Sequence, residues 1–339
     1  MTNKVKRLSA RTAVVLPLLA PIVGYLPSGT AAQTSATPII LFEQPSLSDI
    51  AGNFFVPPAE HSPPRVGVFT LILWQPNPNQ QDGELVPTGW PAGEKTGFYP
   101  SAPLARHQAG FRDMPGTSTV QADGDTVGAY ITSTDLSAGS HQFKMMITPQ
   151  IIFAPADQVR PYDQAGRAIV VALDLQVPTA MDAHNDGSDT YVNADLVFVD
   201  RNRNTKISYG CNLFFNGHPR RRPVGNIAVD SDTQNTMINS AVGLQRDWVT
   251  ALRGSAVSQG APWQGWKAFN FAITENNFVS ALAALNQRNP DAHASVNPSD
   301  YTLVQFHLNA ELHFKTSAAE LGWSMRHAKI VITDATVLQ

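Results

Sequence analysis

The chain has 339 residues, only 15% of them charged, with 24 Lys and Arg against 27 Asp and Glu and a formal net charge of −3. This sparse, slightly acidic balance argues against nucleic-acid binding, which draws on clustered Lys and Arg. Cys211 is the only cysteine, so an internal disulfide and a Cys-x-x-Cys metal site are both excluded.

Residues 1–32 read as an export signal. Lys4, Lys6, Arg7 and Arg11 form a basic start, Ala13 to Pro27 is apolar, and Thr30-Ala31-Ala32 supplies small residues for cleavage. The apolar run is too short to span a bilayer, and Pro17, Pro21 and Pro27 would break a spanning helix. Cleavage removes four bases and no acid, which leaves a net of −7 on the chain from about Gln33. The expectation is an exported protein, periplasmic or extracellular, with no transmembrane segment after signal removal.

Residues 33–120 are rich in proline: twelve of the 25 prolines fall between Pro45 and Pro115. Proline fixes φ and removes a backbone donor, so this part is expected to be loops and short edge segments of the same domain. Val66–Trp74 is apolar on both faces and reads as a strand. Residues 121–339 read as the sheet body. The expected strands are Thr126–Ser133, His141–Thr148, Ala168–Val177, Thr190–Val199, Thr205–Phe215, Trp266–Ile273, Tyr301–Phe314 and Ala328–Thr333. Asp200–Asn204 reads as a hairpin turn.

Thr274 can cap a helix carrying Phe278, Ala281, Leu282 and Leu285, and Ser240–Leu252 is a second helical candidate. The expected class is therefore all-β: an antiparallel β-sandwich, jelly-roll-like, with one or two short helices. Cys211 shares a strand register with Ile207, Tyr209 and Leu213, the setting of a buried and inert thiol.

Chemistry enters through the strand registers. One face of Tyr301–Phe314 carries Gln305, His307, Asn309, Glu311 and His313; Thr190–Val199 carries Tyr191, Asn193 and Asp195; Ala168–Val177 carries Asp174 and Gln176. These rows hold fixed donors and acceptors and no Lys, the composition of a face that hydrogen-bonds a hydroxyl-rich ligand. Trp263, Trp266 and Trp90 could supply flat surfaces for sugar rings.

The expected function is a secreted carbohydrate-active protein that takes a polysaccharide or oligosaccharide, foremost as a glycoside hydrolase using paired carboxylates. Glu311 is the first candidate for the acid, because apolar flanks raise a carboxyl pKa, with Asp174 or Asp195 as its partner. Gln305, His307, Asn309, Tyr191, Asn193, Gln176, Trp263 and Trp266 are the substrate-binding candidates. A non-catalytic polysaccharide-binding protein, a polysaccharide lyase and an envelope-associated structural protein are the alternatives.

Gln305-Phe306-His307 resembles the Gln-x-His strand motif of some alginate lyases with a jelly-roll fold. The resemblance covers three residues. The Arg-rich strand and the Tyr-containing C-terminal strand that accompany the motif are not visible, so no residue role is carried over.

No cofactor is required by this chemistry. A structural calcium is a candidate in the loop Asp182–Asp189, where Asp182, Asp186 and Asp189 offer hard oxygen ligands around Gly187. His307 and Glu311 lie about 13 Å apart along one strand and cannot share one ion.

Overall fold

Sixteen strands, counted among the described residues, build the protein. In chain order they are β1 (Ile39–Glu43), β2 (Thr70–Trp74), β3 (Tyr99–Pro100), β4 (Gln108–Arg112), β5 (Thr119–Asp123), β6 (Thr126–Thr132), β7 (Gln142–Ile152) and β8 (Arg167–Ala180). They continue as β9 (Asp189–Asp200), β10 (Thr205–Gly217), β11 (Asn226–Val229), β12 (Thr236–Ala241), β13 (Thr250–Ala251), β14 (Trp263–Thr274), β15 (Tyr301–Phe314) and β16 (Glu320–Asp334). The computed structural model describes residues 37–44, 70–74, 99–100, 108–112, 118–123, 125–133, 142–153, 158–180, 189–203, 205–217, 225–229, 236–314 and 319–338. Residues 1–32, expected to be an export signal, and Trp90, Asp182 and Asp186 lie outside them.

The strands form two sheets of a mostly antiparallel β-sandwich. A nine-stranded sheet has the order β13-β14-β8-β16-β6-β5-β4-β3, with β1 also paired to β16, and a seven-stranded sheet has the order β11-β12-β10-β9-β15-β7-β2. One pairing, β10 with β12, is parallel. The Pro-rich N-terminal part supplies strands to both sheets.

Alternation makes the core. Ile169, Val171, Leu173, Leu175 and Val177 of β8 face Val192, Ala194, Leu196 and Phe198 of β9 across the sandwich, all buried. Burying each such side chain contributes about 1.5–3 kcal/mol, which is why a one-residue slip in either sheet is excluded. Cys211 is fully buried within this layer, where burial pushes its thiol up to about 12.

The helix α1 (Glu275–Arg288) starts where expected. Thr274 Oγ1 accepts from the Asn277 N–H at 3.1 Å, and Asn277 Oδ1 accepts from the Thr274 N–H at 3.1 Å, a reciprocal cap. Its apolar stripe closes the core: the Phe278 ring lies 4.7 Å from Phe198, 5.1 Å from Tyr162 and 5.1 Å from Tyr301. The second expected helix is absent from Ser240–Leu252. Ser240 and Ala241 instead end β12 in register with Cys211 and Asn212, and Gly243 at φ 77 turns the chain toward β13.

Asp200 and Thr205 are paired, so β9 and β10 form the expected hairpin, with Asp200 Oδ1 accepting from the Asn202 N–H at 2.9 Å. Of Val66–Trp74, Thr70–Trp74 is a strand, and residues 66–69 lie outside the described part.

Candidate functional site

With their apolar partners turned into the core, the polar residues of β9, β10 and β15 fall on the outer face of the seven-stranded sheet. Pairing aligns them in rows. The first row runs Asn239, Gly210, Asp195, His307; the second runs Asn212, Asn193, Asn309; the third joins Tyr191 to Glu311; the fourth runs Gly217, Asp189, His313. Asp189 and Asp195 of β9 thus each stand between a Gly of β10 and a His of β15.

The glycines are there for space. A Cβ on Gly217 would lie 2.4 Å from Asp189 Cβ, and one on Gly210 would lie 2.6 Å from both Asp195 Oδ1 and Asn239 Oδ1.

The rows are bonded internally. Ser258 Oγ donates to Asn212 Oδ1 at 2.7 Å, and Asn212 Nδ2 donates to Asn193 Oδ1 at 2.9 Å. His307 Nε2 lies 3.3 Å from Asp195 Oδ2, and Gln305 Nε2 lies 2.8 Å from His307 Nδ1. Tyr191 Oη donates to Glu311 Oε2, and His313 Nε2 lies 2.7 Å from Glu311 Oε1. The Tyr191 and His313 rings stack at 5.9 Å. Asn309 Oδ1 is buried with no hydrogen-bond partner, a group that gains from a donor brought by a ligand.

Burial raises the Glu311 carboxyl, but the His313 charge and hydrogen bonds from His313, Tyr191 and Asn309 outweigh it and hold the group below its ordinary value. That is opposite to the direction expected from apolar flanks alone. Burial, followed by the charge of Glu311 and the hydrogen bond to it, pushes the Tyr191 phenol well above its ordinary value. Glu311 is therefore an anion at neutral pH and Tyr191 a fixed donor to it.

Not all of the expected residues converge. Gln305, His307, Asn309, Glu311, Tyr191, Asn193 and Asp195 share this face. Asp174 and Gln176 do not: they sit on β8 in the other sheet, where Asp174 Oδ2 accepts from Arg326 Nε at 3.1 Å. Trp263 packs in the core against Phe214 and Phe269, with ring centroids at 5.9 and 6.3 Å, so its faces are not open to a sugar. Trp266 is half-buried on the outer side of the nine-stranded sheet.

Asp195 pairs with His307, four residues from Glu311, so the two acids stand about 13 Å apart along the strands. That exceeds the roughly 9.5 Å upper limit for a catalytic carboxylate pair. Asp189, the last residue of the candidate calcium loop, is the buried first residue of β9, and the rest of that loop lies outside the described residues. It lies diagonal to Glu311, a position that only the β9–β15 register reveals. Among the described residues no group of three His, Cys, Asp or Glu side chains is arranged to hold a metal ion.

No protein-family model and no curated protein matches the chain. Its fold is similar to the endoglucanase 3 of Trichoderma harzianum from family GH12 (10% identity, 69% of this chain and 97% of that chain, TM-score 0.28). It is also similar to a family 12 xyloglucanase from Bacillus licheniformis (7%, 69% and 96%, TM-score 0.31) and to the family 11 xylanase of Neocallimastix patriciarum (12%, 70% and 92%, TM-score 0.26). At these TM-scores the functional reading rests on the side chains described above and not on the likenesses.

Proposed function

We propose that the chain is an exported carbohydrate-active protein that cleaves a glycan on the outer face of the seven-stranded sheet. One observation carries the reading: Glu311, buried and held ionised, stands diagonally across from Asp189 on the neighbouring strand. Diagonal positions of an antiparallel pair lie about 7–8 Å apart at the strand backbone, a spacing from which the two carboxyl groups can reach the roughly 5 to 9.5 Å that glycoside hydrolysis uses.

Ionised Glu311 acts as nucleophile or base, and Asp189 as the proton-donating partner. Tyr191 and His313 fix the Glu311 carboxylate, and the amides of Asn193 and Asn309 meet sugar hydroxyls. The basic, apolar and small-residue runs of residues 1–32 support export, which brings the protein to extracellular polymers.

Binding without cleavage is the second reading. It is favoured by the closed Gln305–His307–Asp195 chain, in which both imidazole nitrogens are engaged within the protein. The same closure weighs against His307 as the base of a lyase.

The test is a polysaccharide panel given to the protein from Gln33 onward, scored for reducing ends, unsaturated products and pull-down. The expected result is reducing ends, with rates lower by about 10²-fold or more in Glu311→Gln and Asp189→Asn, while Glu311→Gln still binds. Unsaturated ends would transfer the reading to a lyase, and pull-down without products to a binding protein. Silence in all three would overturn the carbohydrate reading in favour of a structural role.

A further inference from the structure

The outer face of the nine-stranded sheet holds a second cluster that this reading leaves unused. In β14 the pairing with β8 breaks between Trp263 and Lys267, and Gly265 in the break has φ 77. Bulges of this kind re-aim a side chain. Trp263 goes into the core, and Trp266, three residues on, turns out to the opposite side.

There the Arg326 guanidinium lies over the Trp266 ring, 4.4 Å from its centroid, and donates through Nε to Asp174. His327 Nδ1 meets the same Asp174 oxygen at 3.1 Å, and its Nε2 lies 2.7 Å from Asp125 Oδ2. His327 does this from φ 55, a left-handed conformation that a non-glycine residue keeps only where its surroundings hold it. It sits where the pairing of β16 with β8 shifts, between Arg326 and Lys329.

Three groups on this face have no partner among the described residues: the Arg326 Nη atoms, the Trp266 indole N–H and, two residues from Asp174 on the same side of β8, the Gln176 amide. They come from β16, β14 and β8, three adjacent strands, and all three residues are half-exposed. An ion-pair network made for stability alone needs neither an outward Trp nor the bulge that turns it, and exposed pairs are worth little in any case.

We propose that this cluster is a second glycan-binding site, separate from the Glu311 face, that takes a neutral polysaccharide strand. Charge decides the class of ligand. Arg326 is balanced by Asp174, with Asp125 and His327 beside them, so the patch has no excess positive charge to hold a polyanion. What it offers is an aromatic body with donors and acceptors on its rim, which suits sugar hydroxyls. The proposal rests on the carbohydrate reading and adds a place where a long chain is held away from the bond being cleaved.

The experiment is native electrophoresis of the protein from Gln33 onward in gels containing a neutral β-glucan, a neutral xylan or a polyuronate. The wild type is expected to be slowed by a neutral polymer. In Trp266→Ala the apparent affinity falls roughly three- to tenfold, the size of one aromatic contact. Gln176→Ala falls less, and Glu311→Gln is slowed like the wild type. Cleavage of short soluble oligosaccharides stays unchanged in Trp266→Ala.

Retardation of Trp266→Ala equal to the wild type, with Glu311→Gln released, would place all binding on the other sheet and overturn this site while leaving the proposed function standing. Retardation by the polyuronate alone, or by none of the polymers, would also overturn it. Near-unchanged thermal unfolding of Gln176→Ala guards against reading misfolding as lost binding.

Discussion

On the seven-stranded sheet Asn193, Asp195 and Glu311 are 3%, 3% and 8% exposed and are bonded to Asn212, His307, and Tyr191 with His313 of the same sheet. On the nine-stranded sheet the Arg326 and Asp174 side chains keep 31% and 23% of their surface, and Arg326 leaves both Nη groups unused. Both faces carry Asp, His and amide side chains on strands that alternate in the same way. What differs is burial. It turns one set into a fixed electrostatic frame around a carboxylate, and leaves the other as an open surface with donors to spare. On the proposed reading, the same composition therefore serves chemistry on one face and adhesion on the other.

The two tryptophans of β14 give the largest test of that contrast. Trp263→Ala should lower stability by about 3–5 kcal/mol, as expected when a core aromatic is removed, measured by denaturant unfolding. A loss below about 1 kcal/mol would mean that Trp263 is not the core residue its contacts with Phe214 and Phe269 indicate.

Next come the glycines beside Asp189 and Asp195 of β9. Gly217→Ala and Gly210→Ala should each cost about 1–3 kcal/mol through forced displacement of Asp189 and Asp195. Gly217→Ala should also lower turnover, since its Cβ meets backbone-near atoms of Asp189; unchanged turnover would argue against Asp189 as a reacting group.

Acid unfolding probes the frame around Glu311. A carboxyl whose folded pKa lies below its unfolded one contributes stability in full above the unfolded value, and that contribution is lost as pH falls through the folded value. Stability of the wild type should therefore fall off below about pH 4.3, the ordinary Glu value, and this acid limb should be shallower in Glu311→Gln. Identical limbs would show that Glu311 is not held ionised. The smallest effect belongs to the open face: Trp266→Ala should change unfolding stability by no more than about 0.5 kcal/mol.

Much of this was legible in the sequence where one face of a strand is strictly apolar. Val192, Ala194, Leu196 and Phe198 fixed which way Asn193 and Asp195 point, and the β15 alternation did the same for Glu311. Period-two alternation does not say which strands are neighbours, so Asp174 read as an equal partner of Glu311 although it belongs to the other sheet. It also does not reveal bulges: Trp263 and Trp266 looked equivalent until Gly265 separated them.

The first half of β16 was missed for a similar reason. Leu321, Trp323 and Met325 alternate into the core, but Gly322 and Ser324 weaken the pattern, and the irregularity at His327 separates it from Ala328–Thr333. Asp189 read as the end of an acidic turn, because only its pairing with His313 places it beside Glu311. The lowered Glu311 carboxyl was half visible: His313, two residues away, faces the same side, whereas Tyr191 is brought in by register alone.

The central claim is that Glu311 is an ionised carboxylate at the glycan site. The most direct measurement is a pH titration of its side-chain carboxyl by carbon-13 NMR, assigned with Glu311→Gln, without and with a saturating oligosaccharide from the panel. The account predicts a midpoint below the ordinary Glu value of about 4.3 and a resonance that shifts when the oligosaccharide binds. A midpoint at or above that value, with a resonance indifferent to every bound oligosaccharide, would contradict it.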